Sequence, residues 1–223
     1  MIPIRIFQDC VVFYPEKVVQ TVGNVFINVL KDISGVLNTG NLVIMNDIRP
    51  ETISSIDDIN DCSIVKKMMV GSSLSDSSRG SEIYSSYVMN KIFGSIGISC
   101  KLYKTECSIG YIWIGSVTDY IFDTLVDDSH FRIAIEVKRI HTYPNVTICP
   151  AYVNRILNKA NTGAIESNRN VIKEDRWDMQ MLHIITSSSS VFDMVAAWSK
   201  DIHNTGFGAI FITIVDGNSD FIF

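Results

Sequence analysis

Gly115-Ser-Val-Thr118-Asp119-Tyr-Ile-Phe122, a polar stretch over 123–130, and then Phe131-Arg-Ile-Ala-Ile-Glu136-Val-Lys138-Arg139 form the segment on which the fold turns. It reads as two strands joined by a polar turn. Residues 131–138 alternate, with Ile133, Ile135 and Val137 to one side and Ala134, Glu136 and Lys138 to the other. A carboxylate and an ammonium therefore share one face of an otherwise apolar strand, which is costly unless something uses them. A turn centred on Asp127-Asp128 sets Asp119 opposite Glu136 on that same face, with Cβ atoms roughly 5 Å apart. Two like charges that close repel, and a divalent cation between them is the simplest relief.

An acid, a hairpin and then Glu-x-Lys at the end of an apolar strand resembles the PD-(D/E)xK nuclease superfamily, the restriction-endonuclease-like fold. The motif stands here as Thr118-Asp119 and Ile135-Glu136-Val137-Lys138, without the family's usual proline. Glu82, in the first turn of the helix that precedes these strands, matches the family's further acidic position. By itself Glu82 is also what a helix dipole favours at that place. The resemblance implies an α/β protein with an αβββαβ core, its mixed central sheet flanked by helices.

The resemblance further implies Mg²⁺-dependent hydrolysis of phosphodiester bonds, with Mn²⁺ able to substitute. Asp119, Glu136, Glu82 and the Val137 carbonyl are the implied metal ligands. Asp119, Glu136, Lys138 and Glu82 are the implied catalytic set, with Lys138 orienting the water or holding the phosphate. Trp177-Asp-Met-Gln180-Met-Leu-His183-Ile184 resembles the Gln-then-Tyr element of exonuclease-like branches, with Ile184 where the Tyr would stand, and makes Gln180 a substrate contact. Single residues have plainer readings: Glu136 and Lys138 as an in-strand ion pair, Asp119 as a strand-end carboxylate, Gln180 as a buried amide.

Composition sets the frame. The 223 residues carry a net charge of −5 and 47% hydrophobic side chains, enough for a sizeable core. The average hides a pattern: residues 131–176 hold eight basic side chains (Arg132, Lys138, Arg139, Arg155, Lys159, Arg169, Lys173, Arg176) against four acidic ones. Positive charge thus gathers just after the Glu-x-Lys strand, where a phosphate backbone would lie, and Arg139, His141 and Arg176 are read as further substrate contacts. The five cysteines are scattered with no Cys-x-x-Cys pair, which argues against a disulfide framework or zinc ribbon and for a reducing compartment. Residues 1–9 lack the shape of a signal peptide, and no apolar run approaches the ~20 residues of a membrane span. The expectation is an intracellular protein, cytoplasmic or nuclear.

Taken in order, residues 1–70 read as an N-terminal α/β extension or subdomain: a strand at 3–7, a helix at 15–33, an apolar segment at 42–45 and a short helix at 64–70. The Gly- and Ser-rich stretch 71–80 reads as a linker, and 81–223 as the nuclease-like core. Within that core the pattern predicts a helix at 81–93, strands at 98–105, 111–122 and 131–138, and a helix at 151–160. A loop at 161–170, a helix at 176–185, a helix at 191–200 and a buried strand at 208–215 follow, with 221–223 pairing to it. No Walker loop, dinucleotide fingerprint or nucleophile elbow accompanies the dispersed histidines.

Two functions are carried forward. One is a metal-dependent nuclease on nucleic acid, DNA ahead of RNA. The other is a catalytically inactive nuclease-fold binding or assembly module. A homodimer, or a protein partner engaged through the N-terminal extension, is expected with either.

Overall fold

The computed structural model describes residues 5–7, 10–13, 42–48, 55–71, 79–95, 98–126, 129–141, 147–202 and 205–215. The expected helix at 15–33 and the pairing of 221–223 lie outside the described residues. Among the described residues, eight strands form one mixed sheet: β1 (Arg5–Phe7), β2 (Cys10–Phe13), β3 (Leu42–Ile48), β4 (Ser99–Thr105), β5 (Tyr120–Val126), β6 (Ser129–Ile140), β7 (Met179–Thr186) and β8 (Ala209–Ile214). Their order is β1-β2-β3-β8-β7-β6-β5-β4. Strand β5 pairs antiparallel with both β4 and β6, whereas β6, β7 and β8 pair in parallel. Residues ahead of the core join the same sheet, because β3 pairs in parallel with β8.

Four described helices cover the faces: α1 (Ser63–Gly71), α2 (Arg79–Ser95), α3 (Pro150–Asn170) and α4 (Ser190–Asp201). On one face Val65 and Met68 of α1 and Tyr84, Val88 and Met89 of α2 pack on Tyr120, Phe122, Ile133, Ile135 and Val137. On the other, Val153, Leu157 and Ala160 of α3 and Val191, Val195 and Trp198 of α4 pack on Ile140, Leu182, Ile184, Ile210 and Ile212. The order α2-β4-β5-β6-α3-β7 is αβββαβ, and the mixed sheet flanked by helices matches the expectation, although the strand that closes the series is β7 at Met179–Thr186 rather than the expected strand at 208–215. The crossover from β6 to its parallel neighbour β7 goes through α3, as parallel pairing requires.

The hairpin register also holds, with Tyr120 opposite Ile135 and Val126 opposite Ser129. Three expected elements differ. The stretch 111–122 is not one long strand: β5 starts only at Tyr120, and the residues before it form a loop strapped to the end of α3. Residues 161–170 are helix rather than loop, completing α3. Asn161, Ser167 and Asn170 are buried in it and find partners, as where the Gly206 amide donates to Asn161 Oδ1 at 2.7 Å. A Cβ on Gly206 would come within 2.8 Å of the Ile165 nitrogen, so only glycine permits that approach. Residues 176–185 are not a helix but mostly the strand β7, buried along its whole length. A mainly apolar run with no polar face fits a sheet covered on both sides as well as it fits a core helix, and ladders on both sides decide the matter.

Candidate metal centre

The site forms at a notch in the sheet. β5 begins at Tyr120, opposite Ile135, while β6 continues past that point to Ile140 with, among the described residues, β7 as its paired strand. Asp119 takes up the position just before β5: its amide donates to the Ile135 carbonyl at 3.1 Å. The next β6 amide facing the gap is that of Val137, and it donates to Asp119 Oδ2 at 2.5 Å. The carboxylate thus satisfies a backbone group that the missing strand leaves behind. Thr118, fully buried, donates its hydroxyl to the Ile135 carbonyl at 3.0 Å and fixes the chain entering Asp119.

Two more carboxylates meet Asp119 there. Glu106 follows the last residue of β4, and Glu82 lies in the first turn of α2. One carboxylate oxygen from each of Glu82, Glu106 and Asp119 lies within 4.8 Å of the others. Glu136 stands beside this group rather than within it, with its Oε1 receiving Lys138 Nζ at 2.5 Å. Glu136 is 12% and Lys138 30% exposed, so the pair is held in a shielded position.

The electrostatics are those of a site short of positive charge. Burial raises the Asp119 carboxyl well above the usual carboxylate range; Glu136 and Glu82 push it further, while Lys138 and the Val137 amide oppose them. Burial likewise raises Glu136, against the pull of Lys138. Burial alone would lower Lys138, but Glu136, Asp119 and Glu82 outweigh it and keep the ammonium charged. Burial pushes the Tyr111 phenol up to about 12 even though the Thr118 amide donates to it at 2.9 Å, and Glu136, Glu106 and Asp119 add to the rise. All-oxygen donors of this kind suit a hard divalent cation such as Mg²⁺ or Mn²⁺, and neither thiolate nor imidazole belongs to the cluster.

Of the residues singled out from sequence, the fold brings Glu82, Asp119, Glu136, Val137 and Lys138 together. What Val137 turns toward Asp119 is its amide. Gln180 is 2% exposed and lies behind the site, its amide group within 3.5 Å of Thr118 Oγ1 and 3.4 Å of Ser167 Oγ. Arg139 belongs to β6 and His141 follows its last residue; burial first, and then the Arg139 charge, lower the His141 imidazole. Arg176 sits at the other end of β6, where the neighbouring Asp178 amide donates to the Arg132 carbonyl at 2.9 Å.

Nothing in the local sequence pattern marks Glu106 as a partner of Asp119. It lies one residue past β4 and meets Asp119 only through the β4–β5 register, which shifts at a bulge between Leu102 and Lys104. The connection from β4 to β5 is too long for hairpin rules to set that register. The available signal was a carboxylate directly following a strand.

Fold and site together define an α/β protein with an αβββαβ core in a mixed sheet and a three-carboxylate cluster beside a shielded Glu–Lys pair. No family model matches the chain. Over 127 residues it is 35% identical to the AAC-rich mRNA clone AAC4 protein of Dictyostelium discoideum, covering 53% of this chain and 17% of that protein. The chain therefore spans less than a fifth of that curated relative. Among solved structures it is similar to the MspJI restriction endonuclease in complex with a 27-mer oligonucleotide, at 11% sequence identity, with 78% of this chain and 34% of that one covered and a TM-score of 0.31.

Proposed function

We propose that this chain is a divalent-metal-dependent nuclease that hydrolyses phosphodiester bonds, with DNA as its main substrate. The observation that carries the reading is the convergence of Glu82, Glu106 and Asp119 within 4.8 Å, next to the Lys138–Glu136 pair. Asp119, Glu82 and Glu106 would hold Mg²⁺ or Mn²⁺, with Glu136 close enough to Asp119 to share its field. Such an ion polarises the scissile phosphate and makes a bound water more acidic. The protein's own part is positional. Glu136 holds Lys138 charged and aimed, and Lys138 contributes a fixed ammonium for a phosphate oxygen or for orienting the attacking water. Thr118 and Gln180 act behind them as positioning residues for Asp119.

The test is cleavage of supercoiled plasmid and of labelled oligonucleotides by purified protein in Mg²⁺, Mn²⁺ and EDTA. Metal-dependent products that disappear in both Asp119→Ala and Lys138→Ala support the proposal. Salt-sensitive binding without cleavage in either metal would instead make the chain an inactive binding module on the same fold.

A further inference from the structure

The loop joining β4 to β5 shows Ile112, Trp113 and Ile114 to solvent, at 62%, 52% and 104% relative exposure. Three consecutive large apolar side chains in water are unfavourable unless something covers them. Their backbone, by contrast, is tightly held. Asn170 is fully buried and spends its amide on this loop: Oδ1 accepts from the Trp113 amide at 2.9 Å, and Nδ2 donates to the Trp113 carbonyl at 2.7 Å. The Ile112 amide donates to the Asn170 carbonyl at 2.8 Å, and Ser116 Oγ donates to Glu166 Oε2 at 2.6 Å. The tip is therefore a pre-ordered projection whose side chains are presented outward.

Position suggests what covers it. The same loop leads directly into Thr118 and Asp119. An extended chain spans at most about 3.6 Å per residue, so Trp113 lies no more than roughly 22 Å from Asp119. At about 3.4 Å per stacked nucleotide, that is about six base steps. On α3, the helix that carries Glu166 and Asn170, Arg155 and Lys159 are exposed cations one turn apart. Lys159 is near enough to act on Glu136. A polyanion reaching the carboxylate cluster would thus meet positive charge on α3 and an apolar projection beside it.

We propose that Ile112, Trp113 and Ile114 form a rigid finger that inserts between bases of a nucleic-acid strand bound at the adjacent carboxylate cluster, unstacking it near the scissile position. Aromatic and aliphatic wedges do this wherever unstacking is repaid by new contact, and stacking on an aromatic ring is tolerant of sequence. Ordering the finger in advance through Asn170 lowers the entropic cost of insertion. The inference rests on the nuclease reading.

The experiment uses the full chain with Ca²⁺ in place of Mn²⁺, and a duplex carrying 2-aminopurine as the probe. The expected result is a rise in 2-aminopurine fluorescence on binding. Trp113→Ala with Ile114→Ser should abolish that rise and weaken binding on the order of tenfold or more, with Trp113→Phe restoring most of it. Ile114→Ser alone, at a fully exposed position, serves as a partial variant that leaves folding intact. If the native protein binds and cuts DNA and the double variant matches it within about twofold, the finger proposal fails and the nuclease reading stands. If the native protein neither binds nor cuts, both fail. If the substitutions leave DNA binding unchanged but turn a dimer into a monomer, the finger is a self-association surface and the proposal is overturned.

Discussion

The backbone amide of Glu106 donates to the carbonyl of Asp119 at 2.7 Å, so the residue after β4 and the residue before β5 stand side by side with their carboxylates free to converge. If the cation is held there, Glu106→Gln lowers Mn²⁺ affinity at least about tenfold and Asp119→Asn lowers cleavage by about 10²–10³-fold. Isothermal titration with Mn²⁺ checks the first. Wild-type affinity in Glu106→Gln would mean that Asp119 and Glu82 grip the ion without it.

Lys138 is bonded to Glu136 and lies outside the cluster of three. Lys138→Met should cut turnover by about 10²–10⁴-fold while leaving the Mn²⁺ dissociation constant within a few-fold of wild type. Single-turnover cleavage beside metal titration separates the two. Parallel loss of both would assign Lys138 to metal-site integrity rather than to chemistry.

The pH dependence of stability has a defined sign. Asp119 and Glu136 have carboxyls raised above the usual range in the folded state, by burial first. Their contribution is fully present below the ordinary carboxylate pKa and is lost as pH rises through the raised folded values. Urea unfolding in EDTA should show stability falling across that window. Asp119→Asn should flatten the fall, and an unchanged slope in that variant would remove Asp119 as its source.

Asp175 works the other way. It is fully buried, accepts from Lys104 Nζ and from the Gly110 amide at 2.8 and 2.7 Å, and its carboxyl is lowered because these donors outweigh burial. Its stabilisation is present above the ordinary carboxylate pKa and is lost as pH falls through the lowered value. Asp175→Asn should cost about 2 kcal/mol at neutral pH and should reduce acid sensitivity. Chemical denaturation at pH 7 and in acid measures both, and a neutral substitution would show that Gly110 is held by other contacts.

A buried polar chain crosses the sheet. Tyr120 Oη lies 2.7 Å from Ser85 Oγ, which lies 2.6 Å from His183 Nδ1, and His183 Nε2 lies 2.8 Å from Thr213 Oγ1. All four side chains are fully buried. Ser85→Ala leaves a tyrosine hydroxyl and a ring nitrogen short of a partner and should destabilise by about 1–3 kcal/mol. Tyr120→Phe, which removes the hydroxyl itself, should cost less. Equal losses would mean that packing at Ser85, not hydrogen bonding, sets the penalty.

The β5–β6 hairpin was legible because a two-residue period and a polar turn set its register without tertiary help, and that register put Asp119 level with Glu136. Strand β7 was misread because Met179–Thr186 has no polar side to mark a period. Helix α3 was cut short because its Asn and Ser residues, loop formers by local preference, are paid for by partners distant in sequence: Gly206 for Asn161 and Trp113 for Asn170.

The sequence by itself determined the β5–β6 hairpin and the alternation that sets Glu136 and Lys138 on one face, since both follow from local periodicity and a polar turn. Only the tertiary structure decided that Glu106 joins Glu82 and Asp119 while Glu136 is taken up by Lys138. Those pairings depend on where β4 ends and α2 begins relative to β5, distances that packing sets and local pattern does not record.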